Sequence, residues 1–171
     1  MRAGMNALSE SYLNGYHEKN SPRDEVKTVI LRKFQPEDAV SLSQLWLEAS
    51  LRAHSFIAES YWREREAEIR DCYLPNSETY VLDHQGQPVA FVSMLEHDYL
   101  AALFVASDYQ GQGCGTRLLN EVKQNRETIE LNVYKENGNA VRFYRRNGFV
   151  PVEERPDPAT GHVEYRMKWE S

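Results

Sequence analysis

The stretch Val105-Ala106-Ser107-Asp108-Tyr109-Gln110-Gly111-Gln112-Gly113-Cys114-Gly115-Thr116 decides how the chain is read. Upstream of it, Tyr99 to Val105 is apolar throughout, as expected of a strand at the centre of a sheet. Downstream, Gly113 to Asn125 brings Leu118, Leu119 and Val122 to helical spacing. A strand therefore passes through a glycine-rich turn directly into a helix. Glycines at alternate positions permit positive φ and let a ligand come close to the backbone. N–H groups at a helix start lack intrahelical partners, and the dipole there favours an anion. The natural guest is a phosphate or diphosphate, to which Thr116 could add a hydroxyl. The plainer reading, glycines that merely permit a tight turn, fits one or two glycines better than three. The dinucleotide fingerprint G-x-G-x-x-G fits poorly, because the third glycine comes one residue early, and the triphosphate loop needs a Gly-Lys pair that is missing.

Working outward, Val29-Ile30-Leu31 with Arg32 and Phe34 reads as a first strand. Pro36-Glu37-Asp38 opens a helix whose inward face is Val40, Leu42, Leu45, Trp46 and Ala49. A second helix is expected from Phe56 to Cys72, stopped by Pro75-Asn76-Ser77. Thr79 to Leu82, Pro88 to Leu95 and Tyr99 to Val105 form a meander. After the glycine turn and its helix come a strand at Ile129–Val133 and a helix over Asn139–Arg146. Asn147-Gly148 caps that helix, with Phe149 as the apolar contact beyond. Two last strands, Phe149–Val152 and Val163–Trp169, flank a polar loop holding Asp157, Thr160 and Gly161. The sum is one α/β (α+β) domain over residues 26–171, a mixed and mostly antiparallel sheet flanked by helices. Residues 1–25 read as a polar leader or tail without assigned function.

Of 171 residues, 41% are apolar and 27% charged, enough apolar surface to exclude disorder as the dominant state. No apolar run reaches the length of a membrane span. Twenty basic against 26 acidic residues give a net charge of −6. That balance disfavours non-specific nucleic-acid binding and suits a cationic substrate. Cys72 and Cys114 make neither a disulfide framework nor zinc spacing, and no metal site is expected. Residues 1–20 lack a secretory core, so a reduced, cytoplasmic setting is expected. Cys72 reads as a buried apolar residue. Cys114 sits at a helix start, where a thiol pKa can fall, yet reads as a small residue tolerated in the loop.

With Gln110, Gly113 and Gly115 the turn matches Q/R-x-x-G-x-G/A, and the chain resembles the GCN5-related N-acetyltransferase (GNAT) superfamily. Asn137-Gly138-Asn139-Ala140-Val141-Arg142-Phe143-Tyr144-Arg145-Arg146-Asn147-Gly148-Phe149 matches that family's N-x-x-A-x-x-F-Y-x-x-x-G-F segment without a gap. The element order from Val29 to Trp169 agrees as well. The stretches Leu45–Glu48, His54–Ile57, Tyr61–Arg63 and Leu100–Val105 liken it to small bacterial members.

The resemblance implies acetyl-CoA as cofactor and transfer of its acetyl group to a primary amine. The acceptor it favours is a protein lysine or N-terminus, with a small-molecule amine close behind. Amides from Gln110 to Gly115 (Gln110, Gly111, Gln112, Gly113, Cys114 and Gly115), with Thr116 beside them, would hold the diphosphate, and main-chain groups of Leu103, Phe104 and Val105 the pantetheine arm, since an unpaired strand edge offers donors and acceptors. Asn137 is either a hydrogen-bond partner of that arm or a helix cap, two roles that can coexist. Tyr144 is the implied general acid, protonating the thiolate as the tetrahedral intermediate collapses; its plain alternative is a core aromatic. Many members carry a Glu on the strand before the loop. Here that strand has none, which leaves Glu96, His54, Tyr99 and Tyr134 as candidate bases or relays. His54, Tyr61, Trp62, Glu96 and Tyr134, with Glu48 and Phe56, make an aromatic and acidic wall suited to a cationic amine, each alternatively core or solvated surface. The missing acid also leaves open a non-catalytic acyl-CoA-binding module on the same fold. A homodimer is common in the family, but no segment here marks an interface.

Overall fold

The computed structural model describes residues 28–171. The leader expected over residues 1–25 lies outside the described residues. Seven strands, β1 (Ile30–Lys33), β2 (Glu78–His84), β3 (Gln87–Leu95), β4 (Tyr99–Val105), β5 (Thr128–Tyr134), β6 (Val150–Pro156) and β7 (Val163–Glu170), form one sheet in the order β1-β2-β3-β4-β5-β7-β6. Every neighbouring pair is antiparallel except β4–β5. The helices are α1 (Ala39–Ala53), α2 (Glu59–Arg63), α3 (Glu66–Glu68), α4 (Cys114–Lys123) and α5 (Gly138–Arg146).

Strand alternation divides the core between two faces. Val81 and Phe91 point to the α1 side, where they meet Leu42, Leu45, Trp46 and Trp62. Leu82, Ala90 and Val92 point to the α4–α5 side, packed with Leu118, Leu119, Val122, Val141 and Phe149. Leu118, Leu119 and Val122 have no exposed surface, and burying such a side chain contributes about 1.5–3 kcal/mol. At the β1 edge the Arg32 guanidinium clamps two buried carboxylates, Asp38 at 2.7 Å and Asp83 at 2.7 Å. This ties the start of α1 to the β2–β3 hairpin and holds the Asp38 carboxyl below its ordinary range against the cost of burial.

The expected helix from Phe56 to Cys72 is broken into pieces. Its residues form a turn, α2, α3 and a π-turn over Ile69–Tyr73. Between Ile57 and Leu74 only Trp62 is fully buried, so no continuous apolar stripe holds one long helix to the sheet. Cys72 is exposed, against its reading as a buried apolar residue. Val40 is 54% exposed on the first turn of α1, and Leu47 takes an inward place instead.

β4 is central in strand order, yet only Leu100 on it is fully buried. Two features explain this. The β3 register jumps from Ser93↔Ala102 to Met94↔Leu100, leaving Ala101 as the extra residue of a β-bulge. The parallel pairing with β5 consists of Tyr99↔Glu130 alone. Beyond that point the two strands diverge, and a gap opens in the middle of the sheet beside residues 100–105.

Candidate active site

The phase of the β3–β4 ladder fixes what faces this gap. The Ala106 amide donates to the Val89 carbonyl at 2.9 Å, and hydrogen-bonded pairs alternate in an antiparallel ladder. Phe104 therefore spends its main-chain groups on β3, while those of Leu103 and Val105 face the gap. Of the three residues expected to offer main chain to a ligand arm, Phe104 is turned the other way. Its ring stacks on Phe91, with centroids 5.8 Å apart. The Val105 carbonyl already accepts from Gln110 Nε2 at 3.0 Å, so Gln110 braces the strand end with its side chain.

The glycine loop leads from this edge into α4. Gly111 and Gly113 have φ of 72° and 82°, and a Cβ built on either meets nothing within 4 Å. The first helical bond runs from the Arg117 amide to the Gly113 carbonyl at 2.9 Å, so α4 does not use the amides of Cys114, Gly115 and Thr116. The Gln110 amide, by contrast, is taken by the Ser107 carbonyl at 3.2 Å. Open space in front of positive-φ glycines, beside amides at a helix start, fits a diphosphate. Gly115 has a different task. A Cβ there would lie 2.9 Å from Phe143 Cζ and 3.6 Å from Leu103 Cδ2. Its missing side chain lets α5 press against α4. Cys114 is buried and burial pushes its thiol pKa up, the reverse of an activated nucleophile.

Tyr144, on α5, is 8% exposed and packs edge-on against Phe143 and Phe149. Its hydroxyl makes no hydrogen bond among the described residues. Burial, with a smaller contribution from Tyr99, raises its pKa, so the phenol stays protonated through the neutral range.

On the α1 side the end of α1, the turn after it, α2 and β5 bring rings together. His54 stacks on Trp62 at 4.8 Å and meets the edges of Phe56 at 5.7 Å and Tyr134 at 5.4 Å. Tyr61 stands edge-on to Trp62 at 5.0 Å, under the Arg65 guanidinium at 3.6 Å. Burial lowers the His54 pKa, so the imidazole is neutral near pH 7. Its Nε2 lies 3.2 Å from Asn137 Nδ2, while Asn137 Oδ1 accepts from the Ala140 amide at 3.2 Å as the N-cap of α5. His54 Nδ1 is buried beside the Ser50 carbonyl, without a hydrogen bond of normal geometry. The indole Nε1 of Trp62 is also buried and unpaired among the described residues.

Three side chains of this cluster were not singled out from the sequence. The Tyr134 hydroxyl donates to Asp157 Oδ2 at 2.6 Å, and Thr160 Oγ1 donates to the same carboxylate at 2.8 Å. Burial and this partner raise the Tyr134 pKa well above the ordinary phenol, so it is no base. His162 packs on Phe56 at 5.1 Å and pairs with Glu136 at 2.7 Å. The only sequence signal for Asp157 and Thr160 was a polar loop, the commonest meaning of which is solvent. Two expected members stand apart. Glu96 is exposed at the β3–β4 turn with φ 52°, at the far end of β4. Tyr134 lies level with the opposite end of β4, about 20 Å away at 3.3 Å per residue. Glu48 stays on the exposed side of α1.

A divergent strand edge, a glycine loop open in front of a helix start and a buried tyrosine are the parts from which an acyl-CoA-dependent transferase is built. The GNAT acetyltransferase domain model matches residues 34–171, and the chain belongs to that family of N-acetyltransferases, whose cosubstrate is acetyl-CoA. It is 34% identical over 140 residues to the peptidyl-lysine N-acetyltransferase YiaC of Escherichia coli (strain K12), covering 82% of this chain and 96% of the relative. The solution structure of apo YjaB from Escherichia coli superposes with a TM-score of 0.73 at 25% identity, over 83% of this chain and 97% of that one. PaiA N-acetyltransferase of Thermoplasma acidophilum, solved with coenzyme A, shares the fold with a TM-score of 0.69 at 17% identity, over 84% and 99%. Among the described residues, no helix is long and apolar enough to cross a membrane, and no cluster could hold a metal ion.

Proposed function

We propose that this N-acetyltransferase acetylates primary amines of proteins, lysine side chains before N-termini, with small-molecule amines second. The observation that carries the reading is the gap beside β4, which leads from main-chain groups of Leu103 and Val105 to Tyr144 on one side and an aromatic wall on the other. The peptidyl-lysine activity named for YiaC supports the acceptor class. When bound, acetyl-CoA supplies an activated acetyl thioester. The amides of the loop from Gly111 to Thr116 neutralise its diphosphate, and the β4 edge orients its arm as a neighbouring strand would be oriented. Asn137 keeps one Nδ2 hydrogen for the same arm. Tyr144, protonated and unpaired among the described residues, is the donor for the departing thiolate. No carboxylate stands on β4 between Tyr99 and Val105, so the incoming ammonium loses its proton to water. Trp62 and Tyr134 flank the amine's approach, their ring faces attracting its charge.

The test is thermal unfolding with and without acetyl-CoA, then release of free CoA across a panel of lysine peptides and amines. A ligand bound only by the folded state raises the midpoint. A raised midpoint with peptide-dependent release is expected. Release with small amines alone would overturn the acceptor class, and no midpoint shift at high acetyl-CoA would overturn the site.

A further inference from the structure

The contact between His54 and Asn137 has only one workable arrangement of protons. Asn137 Oδ1 accepts from the Ala140 amide, so the carboxamide cannot flip without setting two donors against each other. Its Nδ2 therefore faces His54 Nε2, at 3.2 Å, and can only donate. That contact requires an unprotonated Nε2. In a neutral imidazole the proton then sits on Nδ1, the nitrogen buried beside the Ser50 carbonyl. The ring has little freedom to turn away, being stacked on Trp62 and edged by Phe56 and Tyr134. One histidine thus joins the end of α1 to the N-cap residue of the helix that carries Tyr144.

We infer that His54 is a positioning residue for catalysis: its Nε2 accepts from Asn137 Nδ2 and so fixes the N-terminus of α5, and with it Tyr144, relative to the acceptor wall. The inference rests on the acetyltransfer reading above. It assigns His54 neither the role of base, since its one accessible lone pair is engaged, nor that of an acceptor-binding group.

The experiment has two independent parts. In the ligand-free protein at pH 7.5, nitrogen-15 correlation spectra of the imidazole should show His54 neutral with the proton on Nδ1. A proton on Nε2 would overturn the inference whatever the enzyme's activity. Steady-state kinetics then compare His54→Phe, which keeps the stack on Trp62 but cannot accept, with His54→Gln, which restores an acceptor but cannot take up a proton. His54→Phe should lower kcat about tenfold, the value of one hydrogen bond, with KM for the amine within about twofold. His54→Gln should recover kcat to within about threefold of wild type. A raised amine KM with unchanged kcat would make His54 an acceptor-binding group. Equal loss in both variants, with melting midpoints like wild type, would make it a base; either result ends the positioning role. Absence of any acetyl transfer by the wild type would instead refute the functional reading and leave the tautomer result standing.

Discussion

Between Val105 and Thr116 the protein presents main chain to its gap; between His54 and Trp62 it presents rings. The loop is one continuous segment, and its chemistry lies in amides, carbonyls and the φ angles of Gly111 and Gly113. The wall is gathered from α1, α2, β5, the start of α5 and the β6–β7 loop, and its chemistry lies in side chains that touch each other. A site made of main chain tolerates almost any side chain except where a Cβ is forbidden. A site made of side chains depends on each partner, so a single substitution there disturbs several contacts at once.

The largest expected effect falls on the residue between the two regions. Tyr144→Phe should lower kcat by about a hundredfold or more while acetyl-CoA affinity, measured by calorimetry, is kept. Unchanged turnover would remove Tyr144 from the chemistry. Next come the glycines, which sharpen the difference within the loop itself. Gly113→Ala forces a side chain into the left-handed region, at roughly 1–2 kcal/mol, and should weaken acetyl-CoA binding about tenfold. Gly115→Ala should instead cost about 1–3 kcal/mol of stability through its clash with Phe143, and Phe143→Leu should recover part of it. Loss of cofactor affinity without loss of stability in Gly115→Ala would contradict the packing role.

On the wall, Tyr134→Phe removes the hydrogen bond to Asp157 and should raise KM for the amine about threefold, with KM for acetyl-CoA unmoved. Equal changes in both would mean that the two regions are not separable. The smallest effect is on stability against pH. Burial lowers the folded-state pKa of His54, so the unfolded chain binds its proton first as pH falls. This contribution is complete above about pH 6.5 and is lost as the pH drops toward the lowered folded-state value. Chemical denaturation between pH 7.5 and 5.5 should show a shallower loss for His54→Gln than for wild type; parallel curves would refute the shift.

The same contrast explains what was legible in the sequence. Alternating glycines after an apolar strand, Gly148 after α5 and the apolar spacing of Leu118, Leu119 and Val122 are local signals, and they located strands, helices and loop. The divergence of β4 from β5 had no such signal. An apolar strand reads the same whether its neighbour is paired or splayed, and the bulge at Ala101 depends on the β3 register. Asp157 and Thr160 read only as parts of a polar loop, and His162 carried no signal, because their partners, Tyr134, Glu136 and Phe56, lie far away in the chain. The expected long helix failed for a related reason. Helical propensity over Phe56–Cys72 had no stripe of apolar anchors to support it.

The gap beside β4 has one more consequence. On the proposed reading, a cofactor arm laid along Leu103 and Val105 would complete the sheet for as long as it stayed, making acetyl-CoA a temporary structural member. At a hundred times its dissociation constant, such a ligand adds about 2.7 kcal/mol to the folded state. The resistance of this chain to proteolysis would then rise and fall with the acetyl-CoA supply around it.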